Sequence, residues 1–407
     1  MTKFSLTLIL SVACNTALAA GEQGIPMGPF QVIPEIEVTL KYDDNVTLAD
    51  GKNLEEIDSF VTILRPQVAF LMRQRAQTYS VILGTEVGFY ADSSDDDYID
   101  VFVKGNANWR LARSADLSVG AHYMRGHDQR GSTDRGRATE PDTWDEFGVN
   151  GLFQYGEQER IGFDAEIGYT TRSYKDFIRE EKLDDSDRTD LTGRVYYRVL
   201  PKTRLFFEAS YSMIEYQEDF ATSNLQRADS DVSNYSIGAT WTATAKTKGT
   251  AQVGYLKKEF DSNATDDRFE DFSGTSWKVA VEWKPMPRSI IDIYTGRYTS
   301  DTTGIHVGGL QETQDFSVNW RHNWMPRIST MVGLYFAQTD YPGGTGRTLG
   351  LDERSDDIIN FDLGASYQFI KWASLTAGVS FTERDSNYDT DDYDRNLYYL
   401  TLKAALN

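Results

Sequence analysis

From Phe30 to the C-terminus, apolar and polar residues alternate in runs of roughly 10 to 16 residues. In one such run Tyr79, Val81 and Leu83 alternate with Ser80 and Gly84. Successive side chains of a β-strand point to opposite faces, so a period of two predicts strands with one apolar and one polar face. Eighteen such runs follow one another, without an amphipathic helical window or a linker between them. This pattern predicts an all-β fold with no helical layer.

The connections between the runs are of two kinds, and the two kinds alternate strictly. Short connections such as 75–77 and 246–248 take turns with longer ones that are rich in Asp, Gly, Ser and Asn. An even number of strands joined in this way, with Tyr and Trp near the strand ends, is typical of outer-membrane barrels. The sequence therefore predicts a transmembrane up-and-down antiparallel β-barrel of about 18 strands. Both termini and the short turns are expected to face the periplasm.

The run 277–283 shows which face of the sheet meets water. Trp277, Val281 and their odd-numbered neighbours form one face, and Lys278 and Glu282 lie on the other. A soluble sheet would need helices or a second sheet over its apolar face. In a bilayer, by contrast, lipid covers that face, and the sheet closes on itself because no backbone group can stay unpaired in hydrocarbon. We therefore expect the apolar face to meet lipid and the polar face to line a wet lumen. A secreted β-solenoid or sandwich is the alternative.

The N-terminus predicts export. Lys3 precedes a short apolar stretch, and Ala17-Leu18-Ala19 forms a cleavage site of the A-x-A type. The sequence thus predicts a signal peptide over 1–19, a short periplasmic segment over 20–29 and the barrel over 30–407, located in the bacterial outer membrane. A lipidated Cys14, the only cysteine, is the alternative to cleavage. The net charge of −21 excludes nucleic acid as a partner, because binding to phosphates requires a basic surface.

Selectivity of a channel depends on the charges that line its lumen. By the alternation, seven basic and seven acidic side chains point inward, so the sequence favours a neutral or mixed-charge solute, or a passage set by loops. The predicted lumen-lining residues are Glu86, Lys104, Arg110, Asp164, Glu166, Arg194, Arg198, Arg204, Glu208, Lys278, Glu282, Asp315, Arg321 and Asp362.

No arrangement of residues predicts an enzyme, a cofactor site or a metal site. The four histidines, His122, His127, His306 and His322, are scattered, and none lies in a pattern that pairs a base with a nucleophile. Clusters of aspartates near Asp95 and Asp391 could hold a divalent cation, but they lack the twelve-residue EF-hand pattern. A solvated acidic rim is the simpler interpretation of these clusters.

Several stretches together resemble a known family. They are "YDDNV" at 42–46, "GFYADSSDDDYIDV" at 88–101, "YMRGHDQRGS" at 123–132 and "FTERDSNYDTDDYDRNLYYLTLKAAL" at 381–406. The chain is similar to the β-barrel porin-2 family of Gram-negative outer-membrane proteins over about residues 30–406. The resemblance implies a channel that exports a surface exopolysaccharide or capsule. Its partners would be outer-membrane lipid, the polysaccharide and periplasmic polysaccharide-export proteins.

Two other functions remain open from the residues themselves. A constricting inward loop and trimer surfaces would favour a diffusion porin for small solutes, and the longest connections, 125–143 and 340–356, are candidates for such a loop. A structural or surface-binding barrel would instead have a closed lumen and act through its acidic loops.

Overall fold

The computed structural model describes residues 24–135, 139–175, 184–217, 227–244, 246–261, 269–303, 309–343 and 353–405. The predicted signal peptide, 1–19, lies outside the described residues. The described part contains nineteen strands and two short 3₁₀ turns, Ser94–Asp96 and Asp389–Asp391. Among the residues described, no helix is long and apolar enough to cross a membrane.

The first strand is short, and the other eighteen have 12 to 17 residues each. In chain order the strands are β1 (Ile25–Met27), β2 (Phe30–Asp43), β3 (Ser59–Gln74), β4 (Gln77–Tyr90), β5 (Tyr98–Ala112), β6 (Ala115–Asp128), β7 (Asp142–Tyr155), β8 (Ile161–Tyr174), β9 (Ser186–Leu200), β10 (Thr203–Tyr216), β11 (Ser230–Thr244), β12 (Thr247–Phe260), β13 (Phe272–Met286), β14 (Ser289–Ser300), β15 (Gln311–Met325), β16 (Ile328–Tyr341), β17 (Arg354–Ile370), β18 (Ala373–Ser386) and β19 (Tyr393–Ala405).

Strands β2 to β19 form one closed antiparallel barrel. Each strand pairs with the next along the chain, and β19 pairs with β2 to complete the ring. The closing pair runs from Leu397 opposite Asp43 to Ala405 opposite Glu35. Closure leaves no free sheet edge along the paired length of the wall. The prediction of an up-and-down barrel of eighteen strands is confirmed.

The period of two separates the wall into two chemically different faces. Ile99 (65% exposed) and Ile237 (63% exposed) lie on the outer face, where nothing in the protein covers them. Small polar residues such as Ser236 and Ser380 lie on the inner face and are almost fully buried. Apolar side chains outside and polar side chains inside are the reverse of a soluble protein, and they match a barrel whose solvent on the outside is lipid.

The two ends of the barrel differ in their connections. We call one end the turn end. It holds the start of β2, the end of β19 and the short connections, which begin with β3–β4, end with β17–β18 and have two to five residues each. At the loop end, the connections are longer and include 44–58, 91–97 and 129–141. The tight β7–β8 turn at the turn end uses Gly156 at φ +73°, a conformation that favours glycine.

Strand β1 pairs only with the beginning of β2, with Ile25 opposite Val32 and Met27 opposite Phe30. It therefore lies beyond the point where β19 stops pairing with β2 at Glu35. Part of the predicted periplasmic segment 20–29 is thus a short strand that prolongs the wall at the turn end.

Candidate functional site

The connection after β6 folds across the mouth of the barrel. We call residues 129–135 the arch. Asp134 in the arch forms an ion pair with Arg354 (Nη1–Oδ1 3.2 Å) at the start of β17, and its backbone N–H donates a hydrogen bond to Thr303 Oγ1 (2.9 Å) after β14. In the ring of eighteen strands, β17 lies seven strands away from β6 and β14 lies eight strands away, where nine would be directly opposite. The arch therefore constricts the lumen at the loop end.

Arg135 anchors the arch through three carboxylates. Its guanidinium lies 2.9 Å from Asp128, 3.2 Å from Asp142 and 3.3 Å from Asp184, measured between the nearest N and O atoms. The guanidinium also stacks over the Tyr174 ring at 4.3 Å, and the side chain is only 2% exposed. Burial opposes the charge of Arg135, but Tyr174 and the carboxylates outweigh it and raise its pKa. A buried charge requires such partners, and here the partners come from several connections and strands.

Other buried ion pairs surround this anchor. Arg227 donates to Asp184 Oδ1 (Nε–O 2.9 Å) and to Thr302 Oγ1 (3.1 Å), so one aspartate joins two arginines. Arg130 in the arch binds Asp96 (Nε–Oδ1 2.7 Å), which is 2% exposed. These pairs tie the connections at the loop end to one another. Asp96 belongs to one of the aspartate clusters of the sequence, and an arginine is its partner here.

Burial also perturbs Asp134 itself. Removal from water raises the pKa of its carboxyl above the usual value of 3.8 and outweighs the opposing effect of Arg354. Asp391, which also contacts Arg354, raises it further. The Asp134–Arg354 ion pair, which fixes the arch to β17, therefore includes a carboxyl whose ionisation is made unfavourable by burial.

The β2–β3 connection packs beside the arch. Val46 is fully buried in a small apolar cluster with Val61 and Tyr90, and Gln129 Nε2 donates to the Val46 carbonyl at 2.5 Å. Asn45 holds this connection in shape through hydrogen bonds between its side chain and the backbone of Ala49 (2.8 and 2.9 Å). A second inward-folded segment therefore narrows the same mouth.

All fourteen residues assigned to the lumen by sequence share the face that carries Asp128, Asp142 and Arg354, the residues that the arch contacts. The register brings some of them together. Arg194 contacts Glu208 and lies 3.7 Å from Asp164, and Tyr196 donates to Asp164 at 2.9 Å. Arg204 stacks on the Tyr196 ring at 4.2 Å. These residues form one polar cluster on β8, β9 and β10.

The remaining assigned residues mostly have separate partners. Glu86 binds Arg65 and the Tyr98 hydroxyl, Arg110 binds Asp116, Arg321 binds Asp292, Glu282 binds Lys248 and Lys284, Lys104 lies 5.5 Å from the Phe102 ring, and Arg198 donates to backbone carbonyls in the turns. Glu166, Lys278, Asp315 and Asp362 form no ion pair among the described residues.

The sequence analysis missed the charged residues nearest the loop end. Arg354, Asp356 and Arg384 form one buried group, and Arg395 binds Asp43 at the closing pair of strands. All of them follow the same alternation as the assigned residues: Arg384 and Arg395 lie at the ends of predicted runs, and Asp43, Arg354 and Asp356 lie one to three residues beyond such ends.

The three described histidines do not form a common site, and His306 lies outside the described residues. His122 contacts Glu146 (3.2 Å) and His127 contacts Asp100 (3.0 Å), both on the inner face. His322 lies on the outer face between Trp320 and Trp324, with 4.4 Å between its ring and that of Trp324. Within the described ranges, no group of three or more His, Cys, Asp or Glu residues could hold a metal ion.

Along the inner wall from β9 to β15, near the turn end, lies a cavity of about 650 Å³. Charges of both signs line it, including Arg198, Arg204, Lys248, Glu282 and Asp292. The lumen thus has a narrow mouth at the loop end, and a polar chamber of mixed charge lies beneath it.

Solved structures of bacterial porins share this architecture. The structure of Pseudomonas aeruginosa OpdK with vanillate has a TM-score of 0.50 and 12% identity, and the match covers 92% of this chain and 98% of that chain. Acinetobacter baumannii OccAB2 has a TM-score of 0.49 and 12% identity, and the match covers 92% of this chain and 97% of that chain. P. aeruginosa OprD has a TM-score of 0.48 and 15% identity, and the match covers 95% of this chain and 98% of that chain. At these identities the similarity shows the fold alone. No curated protein sequence matches the chain.

A family model described as "Putative beta-barrel porin 2" matches residues 19–406, which is nearly the whole chain. This match confirms the resemblance seen in the sequence, and together with the porin-like barrel it implies an outer-membrane location. The matched proteins are channels, which agrees with the expectation that the chain is not an enzyme. The chain belongs to the beta-barrel porin 2 family.

Proposed function

We propose that this protein is a diffusion porin that admits small solutes through the outer membrane. The observation that carries the proposal is the arch, which crosses the mouth from β6 to β17 and is anchored there by the Asp134–Arg354 pair. A constriction of this kind limits passage by size, and the polar groups around it select among the small molecules that fit. The sequence analysis named an inward-folding loop in 125–143 as the feature that would favour this function.

The mixed charge of the chamber fits the same function. Half of the assigned lumenal charges are neutralised by a neighbour on the wall, as in the Arg194–Glu208 and Arg321–Asp292 pairs. A conduit for a strongly anionic polymer would instead be expected to carry an excess of unpaired basic side chains. The wall therefore supports a passage for small solutes without a strong overall charge preference.

Export of a surface polysaccharide, which the resemblance implied, draws no support from the arch or from the comparisons. The periplasmic export proteins and the polysaccharide belong to that hypothesis as partners. The proposal includes cleavage after Ala19, which would deliver the barrel to the periplasm, and lipid as the partner of the outer face. In the orientation expected from the sequence, the arch lies at the cell surface.

Permeation through the purified barrel tests the proposal. In liposomes that contain the full-length mature protein, we expect mono- and disaccharides to enter at measurable rates and long oligosaccharides to be excluded. A strain that lacks the gene should keep its surface polysaccharide. Loss of that polysaccharide would favour export over the porin. A barrel that passes neither ions nor any small solute, in a strain with normal polymer, would favour the structural barrel.

A further inference from the structure

One section of the inner wall carries a carboxylate without a cationic partner. Asp315 on β15 is 4% exposed, and neither of its carboxylate oxygens accepts a hydrogen bond of normal geometry. The Gly296 N–H and the Tyr298 hydroxyl lie close to the carboxylate without completing such a bond. A buried carboxylate without partners is costly, so its presence in the wall requires an explanation.

Tyrosines surround this carboxylate. Tyr294 and Tyr298 on β14 and Tyr335 on β16 lie on the inner face of the strands next to Asp315, and all three interact electrostatically with its carboxylate. Their side chains are half-buried, whereas the carboxylate lies beneath them. In these four residues, which we call the tyrosine pocket, aromatic rings and hydroxyls face the lumen and cover one buried carboxylate.

Gly296 provides the space in the middle of the pocket. A Cβ atom at this position would lie 2.7 Å from the Tyr294 hydroxyl and 3.4 Å from Asp315 Oδ1. The hydroxyl and the carboxylate therefore approach the same bare Cα from two sides. Any side chain at Gly296 would displace one of them, so the pocket exists because this residue has no side chain.

Several other lumenal carboxylates have a cation, whereas Asp315, Glu166 and Asp362 have none among the described residues. Glu208 is paired with Arg194, Asp292 with Arg321, and Asp116 with Arg110. Lys278 on β13 faces Gly296 across the strand pair, yet it forms no ion pair with Asp315. Of the three carboxylates without a cation, Glu166 is exposed and Asp362 has a hydrogen bond from Ser380, so Asp315 is the one that is buried without either kind of partner.

We propose that the tyrosine pocket binds the ammonium group of a small organic solute on its way through the lumen. An ammonium donates three hydrogen bonds, which the Asp315 carboxylate and the tyrosine hydroxyls can accept, and aromatic rings attract a cation over their faces. Within the described ranges Asp315 belongs to no group of three or more His, Cys, Asp or Glu residues that could hold a metal ion. The proposal rests on the porin function and names a solute class for it.

Equilibrium binding to the full-length mature barrel in detergent micelles tests this site. The probes are n-butylammonium, its neutral analogue n-butanol, the anion butyrate and potassium ion, compared by calorimetry at constant ionic strength. We expect only n-butylammonium to bind, and Asp315→Asn to weaken its binding about tenfold, the effect of losing one charge-assisted hydrogen bond. Asp315→Glu should retain most of the affinity. Asp116→Asn, which removes an inward-facing carboxylate at the turn end, should retain all of it.

Lys278→Gln provides a second variant that does not touch the pocket's own carboxylate. If Lys278 competes for Asp315, its removal should strengthen n-butylammonium binding, whereas a site elsewhere would not respond. Unchanged affinity in Asp315→Asn, or equal binding of n-butanol or potassium, would overturn the proposal. Because the assay measures binding without transport, a barrel that binds the probe but passes no solute would refute only the porin function. A permeable barrel that binds n-butylammonium equally well with and without the Asp315 carboxylate would refute only the proposed tyrosine pocket.

Discussion

The two ends of the barrel are held by different physical means. At the turn end, each connection closes a hairpin between neighbouring strands, and local backbone geometry, such as Gly156 at φ +73°, determines its shape. At the loop end, segments far apart in the chain meet, and buried ion pairs such as Arg135 with Asp128 and Asp184 hold them. Each hairpin at the turn end is thus stabilised locally. The shape of the mouth depends instead on a network of ion pairs in which Arg135 contacts three carboxylates.

The largest effect should come from removing the centre of that network. Arg135→Met leaves Asp128, Asp142 and Asp184 without this cation, and breaking a buried pair from one side costs about 3–5 kcal/mol. We expect the arch to leave the mouth, so that single-channel conductance in a planar bilayer rises several-fold while the barrel itself remains folded. Arg160→Met, which removes an exposed arginine at the turn end that stacks on Tyr197, should leave the conductance unchanged. Equal conductance of both variants and the native protein would show that the arch does not limit passage.

A smaller effect should follow from straining one hairpin at the turn end. Gly156→Ala places a side chain at a positive φ and within 2.5 Å of the Ile161 carbonyl oxygen, which should cost about 1–2 kcal/mol of barrel stability. Gly193→Ala is the matched control, since no atom lies within 4 Å of the added Cβ. Urea unfolding in micelles measures the difference, and conductance should not change for either variant. A change of conductance in Gly156→Ala would mean that the two ends are coupled.

The smallest effect should be a dependence of the mouth on pH. The pKa of Asp134 is raised when the arch is docked, so the docked arch binds a proton more tightly than an undocked arch whose Asp134 is solvated. Docking should therefore strengthen as the pH falls towards the ordinary carboxyl value of 3.8 and weaken as the pH rises through the raised pKa. Conductance should decrease on acidification from neutral pH, and Asp134→Asn should flatten this response. A conductance that increases on acidification would contradict the assignment.

The same division explains what the sequence could predict. The strands and the inward-facing residues follow from the period of two, which is a local property, and the alternating run that contains Tyr79, Val81 and Leu83 is strand β4 of the structure. The arch could be named as a candidate only from its length. Its contact with Arg354 joins residues more than two hundred positions apart, and the tyrosine pocket joins three strands whose register had to be known first. Strand β1 was missed because three residues are too few to show a period.

Strand β1 has a consequence for how the barrel is assembled. The barrel closes where its first and last strands meet, and until β19 arrives one edge of β2 offers unpaired backbone groups to any other strand. β1 already occupies that edge at Phe30–Val32, and Pro34, which lacks an N–H, lies between this stretch and the pairing with β19 that starts at Glu35. The chain thereby shields part of its own closing edge and leaves to β19 only the stretch that begins at Glu35. Because β1 covers part of the β2 edge, strand pairing within one chain is favoured over strand pairing between two chains.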